Sequence, residues 1–97
     1  MAVNLTAAQL AAALRLGSTT EETAEATRLL ATCTEIVTEH APDAPDATAN
    51  EAVIRVAGYL FDAPTAARGA GYADILRNSG ALALLLPYRV HRAGTTG

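Results

Sequence analysis

Thr20-Glu-Glu-Thr-Ala-Glu-Ala-Thr-Arg-Leu-Leu-Ala-Thr-Cys-Thr-Glu-Ile-Val-Thr-Glu-His40 is the stretch on which the fold class turns. Within it Ala26, Leu29, Leu30, Cys33, Ile36 and Val37 recur at the three- and four-residue spacing of one helix face. Glu21, Glu25, Arg28, Thr32, Glu35 and Glu39 fall on the opposite face. A strand alternates with a period of two and cannot sort these residues so. The spacing predicts an amphipathic helix over about residues 20–40, entered through Ser18 with Glu21 three residues on, a capping-box signal.

Working outward, Thr6 and Gln9 carry the same signal for a short first helix that Gly17 is expected to end. Downstream, Pro42-Asp43-Ala44-Pro45-Asp46 breaks the chain, because proline lacks a backbone donor and biases the residue before it away from helix. Thr48 and Glu51 make a third capping pair. The run from Ala52 to Phe61 is apolar nearly all round, with Glu51, Arg55 and Asp62 as its charged stripe, which predicts a central helix. Ala63-Pro64 ends it and Ala67-Arg68-Gly69-Ala70-Gly71 is expected to be a mobile hinge. Tyr72–Leu76 is expected to form a helical turn. Ser79 then caps a last helix through Leu86, stopped by Pro87, since Ala and Leu are strong helix formers uninterrupted by β-branched residues. Residues 93–97 are expected to be flexible.

The expectation is therefore all-α: a small bundle of about four helices, one domain over residues 1–92, a flexible loop near 63–71 and an extended C-terminal tail. Its predicted core is Leu29, Leu30, Cys33, Ile36, Val37, Val53, Val56, Leu60 and Leu85. At 97 residues with 4% aromatics and no Trp, such a core is thin, and association with neighbours would add stability.

The formal charge of −3 conceals a division along the chain. Residues 1–49 carry seven acids against Arg15 and Arg28; from Ile75 onward there are Arg77, Arg89 and Arg92 and no acid. The two ends are thus suited to different partners. Single Cys33 cannot form an internal disulfide, and the chain reads as made inside a cell. Its start lacks the pattern of a signal peptide, and its longest apolar run, Ala81 to Leu86, is too short to span a bilayer, so no membrane is expected.

Catalysis is not expected. His40 and His91 lie at a helix end and in the tail without clustered carboxylates or thiols, so no base, nucleophile or metal site is assembled, and no cofactor is implied. His40 near a helix C-terminus is a favourable charge at the negative end of the dipole. Gly69-Ala70-Gly71 lacks the third glycine and preceding strand of a phosphate loop. Arg77, Arg89, His91 and Arg92 are able to meet phosphates, but an acidic domain without aromatic stacking residues argues against sequence-specific nucleic-acid binding. Tyr88 beside Arg89 pairs two residue types frequent in binding hot spots. It equally suits a Tyr packed on its own domain among solvated arginines.

The run Asn78-Ser79-Gly80-Ala81-Leu82-Ala83-Leu84-Leu85-Leu86-Pro87-Tyr88-Arg89, after an apolar helix ending near Phe61 and a Pro/Gly loop, resembles the C-terminal half of siphophage head-tail adaptors, also called head-tail connector or head completion proteins. The resemblance covers residues 48–92; residues 5–40 agree only in helix pattern, and Tyr88 stands where relatives often carry Trp. It implies a structural virion protein that forms a homo-oligomeric ring, typically a dodecamer, assembled in the host cytoplasm. The ring would sit below the portal protein after packaging and offer a platform to a head completion, stopper or tail terminator protein, with DNA passing through its lumen without sequence-specific binding. It also implies a partner-binding surface from Arg77, Ser79, Tyr88, Arg89, Val90, His91 and Arg92, the tail ordering on docking. Glu21, Glu25, Glu35 and Glu39 would face neighbours or the lumen, or else simply be solvated.

Two other classes compete. A free helical interaction module, such as a secreted helical-hairpin dimer, lacks here the Trp-X-Gly turn of that family. A DNA-binding regulator needs a polar, basic recognition helix, whereas the helices at 49–61 and 79–86 are apolar almost throughout.

Overall fold

A computed structural model of the chain describes residues 3–17, 19–62 and 71–88. Among these residues there are five α-helices and no strand: α1 (Ala7–Ala13), α2 (Thr20–His40), α3 (Asp46–Asp62), α4 (Tyr72–Ser79) and α5 (Ala81–Leu85), followed by a 3-10 turn, Leu86–Tyr88. The all-α expectation holds. The helix count rises because Tyr72–Leu76, expected as a single turn, belongs to an eight-residue helix with Ile75 and Leu76 buried.

α1 starts as its sequence predicts. The Thr6 hydroxyl accepts from the Gln9 amide (3.1 Å) and the Gln9 side chain accepts from the Thr6 amide (2.9 Å). Its end is a correction: the helix stops at Ala13, well before Gly17. The Leu16 amide donates to the Ala11 carbonyl (2.8 Å) and the Arg15 amide to Ala12 (3.1 Å), the paired bonds of a Schellman turn. Arg15 occupies its left-handed position with φ +62°, where glycine would carry no Cβ penalty.

Gly17 has another role. A Cβ there would lie 2.6 Å from Glu22 Oε1, so its bareness admits that carboxylate. Glu22 closes the capping box of α2 with Thr19: the Thr19 hydroxyl accepts from the Glu22 amide (3.1 Å) and donates to Glu22 Oε1 (2.8 Å). The cap is therefore one residue later than the expected Ser18–Glu21 pair. Both pairs fit the pattern, but only the later one gives the carboxylate the additional Gly17 amide donor. α2 itself runs as expected, with Ala26, Leu29, Cys33, Ile36 and Val37 buried.

α3 begins at Asp46, two residues before Thr48, and Thr48–Glu51 is not its cap. The Pro45 carbonyl accepts the first helical bond, from the Ala49 amide (2.8 Å), and Asp46 puts a negative charge at the positive end of the helix dipole. Glu51 instead pairs with Arg55 one turn on (3.3 Å). α3 is central: it packs against α2 on one side and against α4 and α5 on the other, while α1 lies on α2.

The core gathers Leu10, Leu29, Cys33, Ile36, Val37, Val53, Val56, Leu76 and Leu85, all essentially without solvent exposure. Leu30 and Leu60, expected in it, are only half-buried and pack on its rim. Ala26, Ala49, Ala52, Ala57 and Ala81 are buried too, and these small side chains let the helices approach closely.

The N-terminal segment is stitched to α3 by a contact spanning 46 residues of sequence. The Asn4 amide donates to Asn50 Oδ1 (3.0 Å), and Asn50 Nδ2 returns a bond to Asn4 Oδ1 (2.6 Å). Val3 and Leu5, flanking Asn4, rest against the core.

Candidate functional site

The motif from Asn78 to Tyr88 folds as a joint rather than one capped helix. α4 ends at Ser79, Gly80 turns through φ +84°, and α5 departs at Ala81. Glycine is favoured at that angle because a Cβ is strained there. The Ser79 hydroxyl donates to the Leu76 carbonyl (3.1 Å) and accepts from the Ala81 amide (3.3 Å). It thus meets the first amide of α5, as a cap would, but from the last residue of α4. Arg55 of α3 reaches across to the Gly80 carbonyl (3.2 Å). Sequence reasoning noted Arg55 only as part of a charged stripe; nothing local indicates that its target lies 25 residues away.

Beyond the joint α5 ends at Leu85, and Leu86–Pro87–Tyr88 tightens into the 3-10 turn. Pro87, without an N–H, cannot continue the α-helical bonding pattern. Leu85 is buried, Tyr88 is half-buried against the core, and Leu86 is 48% exposed. Alongside Phe61 at 40%, it is one of two large apolar side chains exposed among the described residues.

Of the residues expected to face a partner, Arg77 is exposed and paired with Asp74 on its own helix. Ser79 is half-buried, with its hydroxyl engaged inside the joint. Tyr88 ends the described part of this surface. Arg89, Val90, His91 and Arg92 lie outside the described residues, as do all but Gly71 of the loop expected near 63–71, with its hinge at 67–71, and the tail at 93–97.

Of the acids of α2 expected to face neighbours or a lumen, Glu21, Glu35 and Glu39 are exposed, while Glu25 is half-buried and paired with Arg28. His40 is the last residue of α2 and half-buried. The Cys33 thiol is fully buried, and desolvation pushes its pKa up to about 12, against a small opposing influence from Arg28. A thiol held neutral in this way is a packing group rather than a nucleophile.

One concavity among the described residues is an open, largely apolar groove of about 370 Å³. It is lined by Ala7, Ala8, Ala11 and Ala12 of α1, by Leu16 and Gly17 after it, and by Thr23 of α2. The alanines of α1 leave it without bulk on this face. Among the described residues no three His, Cys, Asp or Glu side chains converge as a metal site, and no helix is long and apolar enough to cross a membrane. No family model, curated protein or solved structure matches the chain.

Proposed function

We propose that this chain is a structural head-tail adaptor of a tailed phage, binding below the portal as a homo-oligomeric ring, typically a dodecamer, and linking the head to the next completion or tail protein. The reading rests on the resemblance of residues 48–92, and the braced joint is the observation that carries it. A motif of common residues could fold as an ordinary surface helix. Here its glycine takes a left-handed turn held by Arg55, and the segment ends in a half-exposed leucine and a proline-stopped turn that lead into an acid-free stretch.

In this reading the protein performs no catalysis and needs no cofactor. Tyr88, Arg89, Val90, His91 and Arg92 dock to the portal, and the tail orders there, so that assembly depends on the partner being present. The ring repeats one heterologous contact that closes by rotation, which multiplies modest pairwise affinity. Glu21, Glu35 and Glu39 give the ring a negative surface toward its neighbours or its lumen, where DNA would slide without sticking.

The test is truncation after Tyr88, with circular dichroism to check that the truncated chain keeps its helices. The truncated chain should lose binding to DNA-filled, portal-bearing heads while the full chain sediments with them. Equal binding by both would refute the docking role of the tail.

A further inference from the structure

Local sequence and tertiary structure disagree over where α1 ends. Leu14, Arg15 and Leu16 are strong helix formers and nothing before Gly17 breaks the run from Ala7, yet the helix stops at Ala13. The chain turns instead through Arg15 at φ +62°, a left-handed backbone that is strained for any residue with a Cβ. That turn keeps residues 3–14 folded back on their own molecule. They lie there as an arm across two helices: α1 packs on α2 with Leu10 fully buried, and Asn4 exchanges hydrogen bonds with Asn50 of α3. Leu14 reaches the same helix further along, where a Cβ on Gly58 would sit 3.8 Å from its Cδ2.

We propose that this arm is exchangeable: α1 runs straight on through Leu16, and residues 3–14 seat on α2 and α3 of a second copy of this chain. Seat and occupant are already seen together, since each contact of an exchanged arm is one that it makes here on its own body. The closed and exchanged forms therefore differ only at the hinge and in the number of molecules. The hinge favours exchange, because Arg15 and Leu16 leave a strained turn for the helical conformation they prefer. Straightening also loses no hydrogen bond. In the turn the Arg15 amide donates to the Ala12 carbonyl and the Leu16 amide to Ala11; in a continued helix the same two amides trade those two carbonyls. No charged residue occurs from Met1 through Leu14, so the arm meets no charge repulsion on the acidic α2 of another copy. Reciprocal exchange makes a dimer, and an arm passed from each copy to the next makes the repeated heterologous contact of a ring. Closure into a ring rests on the adaptor reading, whereas exchange between copies is independent of any portal.

The test begins with the full-length wild type on size exclusion. Concentrated protein should contain a dimer or larger species that returns to monomer slowly on dilution, because release requires the arm to unseat. Arg15→Gly should weaken association by about five- to thirtyfold per hinge, since glycine removes the strain of the turn. Arg15→Ala, which lacks the charge but keeps the Cβ, should still associate. Cross-linking then identifies the arm: a chain carrying Asn4→Cys is mixed with a tagged chain carrying Asn50→Cys and treated with a short bis-maleimide. The expected product is a heterodimer in excess of either homodimer, and the wild type, whose lone Cys33 is buried, supplies the background.

The proposal is overturned if the wild type is monomeric at every concentration, if Arg15→Gly associates as readily as the wild type, or if the mixed cysteine chains cross-link no better with each other than among themselves. Circular dichroism reports folding. Asp46→Cys, whose position also meets the Asn4 side chain, replaces Asn50→Cys should that variant unfold. Exchange by a chain that ignores portal-bearing heads would sink the adaptor reading and leave the exchangeable arm standing.

Discussion

Arg55 Nη1 lies 3.2 Å from the carbonyl oxygen of Gly80, tying the middle of the central helix to the joint between α4 and α5. The same guanidinium pairs through Nε with Glu51 at 3.3 Å, so its direction across the gap is set from its own helix. The carbonyl it meets belongs to the residue whose left-handed turn lets α5 leave α4, and that turn determines where Leu86 and Tyr88 emerge.

Removing either end of this link should loosen the joint. Arg55→Met keeps much of the aliphatic stem but loses the bond, for a cost of about 0.5–1.5 kcal/mol. Gly80→Ala adds the steric penalty of a left-handed residue, about 1–2 kcal/mol. Space is not the obstacle, since the new Cβ would sit 3.7 Å from Arg55 Nη1. Urea unfolding checks both values, and a double-mutant cycle should reveal coupling between the two positions.

Arg15 is the converse case. It holds the left-handed position of a Schellman turn in which glycine would be unstrained. Arg15→Gly should raise stability by about 0.5–1 kcal/mol. An unchanged or lower unfolding midpoint would contradict the assignment of that turn.

The cap of α2 makes stability depend on acid. Bonds from the Thr19 hydroxyl, then from the Gly17 and Thr19 amides, hold the Glu22 carboxyl below its ordinary pKa. A lowered folded-state value means stability that is present above the ordinary carboxylate range and is lost as pH falls through the folded pKa. The stability difference between wild type and Glu22→Ala should therefore be full at neutral pH and shrink on acidification, as thermal unfolding at a series of pH values will reveal.

Cys33 should act in the opposite direction on the pH axis. Its raised pKa favours the neutral thiol in the fold, a contribution intact below pH 9.0 that declines as pH rises toward about 12. In the native protein at neutral pH a thiol reagent should label Cys33 only as fast as the chain opens, and denaturant should make labelling immediate. Rapid labelling of the folded protein would mean that the α2–α3 core is open at this point.

The features legible in the sequence were those written into local periodicity. α2 declares itself over twenty-one residues, with Ala26, Leu29, Cys33, Ile36 and Val37 on one face. Boundaries were less legible where two patterns overlap: Ser18–Glu21 and Thr19–Glu22 are equivalent as strings, and the Gly17 amide selects the second. Thr48 has the spacing to Glu51 of a capping pair, but Pro45 already supplies the first carbonyl of α3. α4 is short and flanked by Gly71 and Gly80, so its sequence carries too few turns to show a helical period. Alanine carries no facial information, being exposed at Ala8 and Ala12 and buried at Ala49 and Ala52, so neither the groove nor the small-residue packing was visible. The Asn4–Asn50 and Arg55–Gly80 links exist only once the chain has folded back on itself.

Imaging purified portal mixed with the full chain by electron microscopy tests most directly the proposal that this chain binds the portal as a ring. The account predicts an added ring of density on the tail-facing side of the portal, with the portal's own rotational symmetry and DNA-sized clearance along its axis. Portal particles that remain bare, while the folded chain stays in solution at concentrations well above those of the portal, would contradict it.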